Sequence, residues 1–121
     1  MSQTQDHLTK VSASLAAARS ASARQKAQEQ GPAALARLVK VAQQGSGQSG
    51  VVGRFLLGLY SSYDYPFALV ELRRLDHDLF EDCLRVLQLD NQPVYELHDY
   101  LQDGSVIFAK LCQAYGQGGA A

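Results

Sequence analysis

An all-α fold, a small multi-helix domain packed around a central apolar helix at about residues 51–62, is what this sequence predicts, and three observations predict it. The stretch Val-Val-Gly-Arg-Phe-Leu-Leu-Gly-Leu-Tyr-Ser-Ser at 51–62 sets Val52, Phe55, Leu56, Leu59 and Tyr60 at helical spacing. Val51 and Leu57 add apolar surface on other faces, and Arg54 is its only charge. A helix that is apolar nearly all round is buried by neighbours on several sides. The flanking segments repeat apolar residues three and four apart between Gly, Pro and Asp punctuation. No segment alternates at period two, as a half-buried strand would.

Taken in order, residues 1–30 carry a thin stripe of Leu8, Val11 and Leu15, after which Ala and Ser take over. This predicts an N-terminal arm, partly helical and peripheral or mobile, outside a globular domain at 31–115. Pro32 sits where a helix would begin, because a missing N–H does no harm at a first position. Leu35, Leu38, Val39 and Ala42 form one face of that helix, and Gly45 ends it in the left-handed manner. The linker 45–50 places Ser49 as N-cap of the central helix. Gly53 and Gly58 each cost that helix about 1 kcal/mol relative to alanine, so they mark places where another backbone comes close.

Beyond the central helix, Tyr63-Asp64-Tyr65-Pro66-Phe67 reads as an aromatic turn that proline keeps from being helical. Leu69, Val70, Leu72 and Leu75 predict a short helix or helical turn over 68–75. Asp76 then reads as an N-cap, with Asp78, Glu81 and Asp82 in the opening turns where acids suit the helix dipole. Leu79, Phe80, Cys83, Leu84, Val86 and Leu87 supply a buried face through about residue 89. Pro93 restarts the pattern, and Val94, Leu97, Tyr100 and Leu101 form a stripe that Gly104 closes. Residues 105–115, with Ile107, Phe108, Leu111 and Tyr115, are the last helix, and 116–121 read as a disordered tail.

The totals bound the class. At 121 residues and 46% apolar content there is room for one globular domain. No apolar run approaches the roughly 20 residues that cross a bilayer. Asp6 and His7 and the lack of an apolar h-region argue against a secretory leader. The Ala- and Ser-rich stretch 8–26, with Arg19 and Arg24 and no acid, has the composition of a transit peptide, but equally of any small-residue helix. Cys83 and Cys112 have no C-x-x-C spacing and read as reduced core hydrophobes of a cytosolic protein, a disulfide or reactive thiol being the alternative. Residues 1–62 hold seven bases and two acids, a net +5, whereas residues 63–121 hold four bases and ten acids, a net −6. Such polarity lets the halves attract each other within one fold, or steers a charged partner.

Several words in the chain are distinctive together. They are Gly-Pro-Ala-Ala-Leu-Ala-Arg-Leu-Val-Lys-Val-Ala-Gln at 31–43, Gly-Gln-Ser at 47–49, Phe-Leu-Leu-Gly-Leu-Tyr at 55–60, Pro66-Phe67, Glu71-Leu72-Arg73 and Leu-Phe-Glu-Asp-Cys-Leu at 79–84. Over residues 31–115 the chain resembles an uncharacterised family of small proteobacterial proteins carried on plasmids and integrative elements, a domain of unknown function. The resemblance brings no assigned activity and no functional residues. It implies a context: an accessory protein of a bacterial mobile element, working in the cytoplasm.

Gly45-Ser-Gly-Gln-Ser-Gly50 fits G-x-G-x-x-G, yet a dinucleotide site needs those glycines after a strand, and the preceding segment is helical. A flexible linker is the reading, with an anion nest at the central helix as alternative. Val51 and Val52 stand where a Walker A motif requires Lys and Ser or Thr. His77 with Asp78 and Glu81, approached by His98 and Asp99, would make a metal site only if two helix ends met; solvated surface is the simpler account, and no metal or cofactor is expected. No G-x-S-x-G elbow is present. Helices 32–44 and 51–62 have a helix-turn-helix outline, but the second offers only Arg54 to base edges. Arg19, Arg24, Lys26, Arg37, Lys40 and Arg54 remain candidates for phosphate contacts without sequence preference. Tyr63, Tyr65 and Phe67 are candidates for a protein interface, against the plainer role of capping the core beneath their turn. The expectation is a non-catalytic module that binds another protein, possibly itself, with no membrane partner; the alternative is a nucleic-acid-associated protein using its basic half.

Overall fold

The computed structural model describes residues 2–116, with side chains from residue 7 onward. Four α-helices, α1 (Ser2–Ala42), α2 (Ser49–Tyr60), α3 (His77–Asn91) and α4 (Gly104–Tyr115), are accompanied by short 3-10 helices at Leu69–Arg74 and Leu97–Tyr100. No strand occurs among the described residues, so the all-α class holds. Of the predicted tail at 116–121, Gly116 is ordered at the end of α4, its N–H on the Cys112 carbonyl (2.9 Å), and 117–121 lie outside the described residues.

The apolar stretch is central, as its composition required. Val51, Val52, Phe55, Leu56 and Leu57 of α2 are at most 4% exposed. α2 meets α1, α4 and both 3-10 helices, while α3 lies across α1. One cluster joins Leu35 and Leu38 of α1, Val52, Phe55 and Leu56 of α2, Cys83 and Val86 of α3, and Phe108 and Leu111 of α4. The helix begins two residues earlier and ends two earlier than the spacing predicts. Ser49 is not its cap. The flanking residue is Gln48, and Ser49 lies inside the first turn. The Ser49 hydroxyl accepts from the Ser46 N–H (2.9 Å) and donates to the Val41 carbonyl (2.5 Å), tying the linker back onto the end of α1. Gly45 adopts the expected positive φ, +72°.

The largest departure is at Pro32, which does not begin a helix but lies inside one. A proline there removes the bond to the carbonyl four residues back and costs about 3 kcal/mol. What offsets it is packing on both sides of the ring. Ala27 and Gly31 are buried N-terminal to it, and Ala34 and Leu35 C-terminal to it. A Cβ placed on Gly31 would lie 2.6 Å from Leu89 Cβ, so the glycine is what lets α3 come this close. Sequence spacing saw no large apolar residue between Leu15 and Pro32 and missed that small residues can form the contact.

Gly104 also plays the opposite part to the one predicted. It opens α4 instead of closing a helix, because a Cβ there would collide with the His98 carbonyl. Asp103 before it takes the left-handed conformation, φ 58°. The stripe after Pro93 shortens to the single turn Leu97–Tyr100, with Leu97 buried and Val94 exposed. Asp76 flanks α3, but its carboxylate does not cap that helix. It accepts from Gln48 Nε2 (2.7 Å), while the Asp76 N–H donates to Gln48 Oε1 (2.6 Å), a two-way clasp between the starts of α2 and α3.

Two substitutions test this architecture. Gly31→Val should lower stability by about 1–3 kcal/mol in urea unfolding, because Leu89 has nowhere to retreat. Pro32→Ala should raise stability, on the order of 1–3 kcal/mol, by restoring the missing bond in mid-helix. A neutral Pro32→Ala would mean that the helix begins there after all.

Candidate protein-interaction site

The end of α2 sets the geometry of the aromatic turn. The Ser61 N–H closes the helix on the Leu57 carbonyl, and the Tyr65 N–H returns to the Ser61 carbonyl (2.9 Å each). The Ser61 hydroxyl donates to Asp64 (2.8 Å), and the Ser62 hydroxyl to the Gly58 carbonyl (2.5 Å). With the turn so fixed, Phe67 meets Phe55 edge to face, ring centroids 5.6 Å apart. A Cβ on Gly58 would stand 3.0 Å from Phe67 Cβ and 3.4 Å from the Tyr65 carbonyl, so backbone does come close there, as predicted. At Gly53 the neighbour is instead the ring of Tyr115.

The three aromatic candidates therefore separate. Phe67 and Tyr65 are half-buried and pack against the core, whereas Tyr63 is fully exposed. Leu69 and Val70, which follow on the 3-10 helix, are 74% and 57% exposed. Neither was singled out from spacing alone. In a helix of three residues per turn, Leu69, Leu72 and Leu75 fall in one line; Leu72 and Leu75 reach the core, and the line runs off it at its first residue. The 3-10 helix is held by Arg54, whose Nη2 and Nε donate to Glu71 at 2.5 and 3.2 Å. Beside it a cleft of about 260 Å³ is lined by Arg54, Leu57, Asp64, Tyr65, Pro66 and Tyr115. The Cys112 thiol next to the Tyr65 hydroxyl raises that phenol above its ordinary range. Tyr115 closes the far side by donating to the Ala42 carbonyl (2.5 Å).

The cationic candidates also fall into two groups. Arg19, Arg24, Lys26 and Lys40 are exposed, with no ion pair to a described side chain. Arg37 and Arg54 are committed. Arg37 donates twice to Asp82 (2.9 and 2.8 Å), and Arg85 adds a third contact to that buried carboxylate (2.8 Å). The Arg37 guanidinium, helped by Arg85 and against the cost of burial, holds the Asp82 carboxyl below the usual range. Burial of α2 leaves the helix-turn-helix outline with no recognition face, since Arg54 itself is paired.

The remaining candidates are not brought together. His77 lies 3.4 Å from Glu81 in the groove between α1 and α3, while the His98 ring meets Tyr60 edge to face. No group of three or more His, Cys, Asp or Glu among the described residues is arranged to hold a metal. The cysteines are free thiols, and burial beside Asp82 pushes Cys83 up to about 12, far from a reactive thiolate. No described helix is long and apolar enough to cross a membrane.

What fold and surface define is a small all-α domain whose two most exposed large apolar side chains, among the described residues, are Tyr63 and Leu69. Residues 32–116 match a family of unknown function (DUF7673), and the chain belongs to it. No curated protein and no solved structure matches the chain.

The Arg37–Asp82 pair has a pH signature. Because the folded carboxyl titrates lower than the unfolded one, its contribution is full above the ordinary carboxyl range and disappears as pH falls through the folded value. Arg37→Ala should therefore cost on the order of 1–2 kcal/mol at pH 7, by leaving a buried carboxylate short of a donor. The gap to the wild type should narrow progressively in unfolding experiments as pH falls below the ordinary carboxyl range; a gap that stays constant would sink this assignment.

Proposed function

We propose that this protein is a non-catalytic accessory protein of a bacterial mobile element, acting in the cytoplasm by binding another protein through residues 63–70. The observation that carries the reading is the exposure of Tyr63, Leu69 and Val70 on a segment anchored from beneath by Phe67 and Arg54. Exposed aromatic and aliphatic side chains on a rigid support lose little entropy when a partner covers them, which is how interface anchors act. The mobile-element and cytoplasmic context rests on the resemblance of the words quoted above. A photo-reactive residue in place of Tyr63, irradiated in the native host after nuclease treatment, should trap one discrete protein. Leu69→Asp with Val70→Asp should abolish that capture while leaving helicity and unfolding midpoint unchanged. Equal capture by the double variant would remove the proposal.

A second reading has its own support: Arg19, Arg24 and Lys26 stand exposed and unpaired by described side chains on the projecting part of α1. Such a row would contact phosphates. Duplex DNA binding measured by fluorescence anisotropy should then weaken steeply between low and moderate salt, and Arg19→Gln with Lys26→Gln should flatten that slope. No binding at low salt would discard it.

A further inference from the structure

The N-terminal part of α1 leaves the domain as a solvent-exposed helix, every described residue from His7 to Lys26 being exposed. Its large apolar residues, Leu8, Val11 and Leu15, are 59%, 42% and 52% exposed. At 100° per residue they fall roughly 140–160° round the axis from Gly31, the residue that faces α3. Their stripe thus lies opposite the core face of the same helix. The 41-residue helix accordingly shows almost no net amphipathic direction, since its two apolar faces oppose each other. No rotation of the continuous helix turns Leu8, Val11 and Leu15 onto the chain's own core without lifting Leu35 and Leu38 out of it.

A surface of matching chemistry lies elsewhere on the same chain. Residues 90–103 hold Asp90, Glu96, Asp99 and Asp103 with no lysine or arginine, and expose Val94 (63%) and Tyr95 (59%) among them. Glu96 and Asp99 are exposed, Asp99 with His98 Nε2 at 3.4 Å. The arm supplies the complement: three apolar side chains with Arg19 beside them and no acid from His7 to Gln28. Val94 borders α1 at Arg24, Gln25 and Gln28. Leu15 and Leu8 stand roughly 14–24 Å farther along a straight helix from Arg24, so a chain's arm cannot reach its own acidic surface. A second copy's arm can.

We infer that the occupant of the arm's apolar stripe is a second copy of this chain, with Leu8, Val11 and Leu15 of one protomer seated on Val94 and Tyr95 of the other and Arg19 facing Glu96 and Asp99. This pairing uses a different surface from residues 63–70 and stands independently of the proposed partner there. Given reciprocally it closes as a two-fold dimer, the commonest symmetry of self-association. Opposite charges at its rim give it a strong salt dependence.

Sedimentation velocity on the full chain provides the test, with circular dichroism showing that each variant remains helical. The wild type should pass from monomer to dimer with concentration, and added salt should shift that midpoint at least tenfold upward. Arg19→Glu, and separately Glu96→Lys with Asp99→Lys, should each weaken self-association at least tenfold. Mixed together, these two reversed proteins should pair with each other, because each then presents what the other lacks. Leu8→Ser with Leu15→Ser should leave a monomer at all salt concentrations. A wild type that stays monomeric at high concentration overturns the inference. So does a dimer indifferent to the Glu96 and Asp99 reversal, which would mean that the arms pair with one another instead.

Discussion

The closeness of α1 and α3 at Gly31 is the constraint on which the rest of the fold depends. Leu89 occupies the space a side chain at Gly31 would need, and this contact brackets Pro32 tightly enough for the helix to run through it. Continuity of α1 has two consequences. Toward its C-terminus it presents Leu35, Leu38, Val39 and Ala42 to α2 and α3 as one buried face. Toward its N-terminus the same rigid axis carries Leu8, Val11 and Leu15 away from the body, so the arm is an extension of the core and not a tether. A chain broken at Pro32 would have neither property.

Polar ties sit where this apolar frame leaves ends to be joined. Gln48 and Asp76 bind the starts of α2 and α3 to each other, and Ser49 binds α2 to the last turn of α1. Arg37 and Arg85 neutralise Asp82, the one buried carboxylate among the described residues, and Arg54 holds the 3-10 helix through Glu71. These contacts explain how a chain with opposite charge in its two halves uses part of that polarity internally. Arg37 and Arg54 from the basic half meet Asp82 and Glu71 from the acidic half. The cations left over are concentrated on the arm, and many of the remaining acids lie in 90–103.

Much of the fold was legible in the residues. The apolar stretch at 51–62 announced a buried helix, and the periodicity of 77–89 and 105–115 announced α3 and α4. Legibility failed where small residues or distant backbone decided the outcome. Ala27 and Gly31 carry too little apolar surface to register as a face, so Pro32 read as a beginning. Gly104 read as a terminator because nothing local reveals the His98 carbonyl standing against it. Ser49 and Asp76 have the right chemistry for caps, but tertiary partners, the Val41 carbonyl and Gln48, engage their side chains instead. Of the candidate interface, the aromatic turn could be seen, yet its division into an exposed Tyr63 and a core-facing Phe67 could not. That division depends on where Phe55 and Gly58 place the turn, which no spacing within 63–67 encodes.

The hydroxyl of Tyr115 on the Ala42 carbonyl, with the same ring lying over Gly53, joins the last helix to the end of the first. During synthesis, then, the middle of the polypeptide is born before its cover. Until residue 115 has cleared the ribosome's exit tunnel, Gly53 and the neighbouring flank of α2 stay unshielded. The nascent chain therefore passes through a window, dozens of codons long, in which its greasiest segment is open to chaperones or to aggregation.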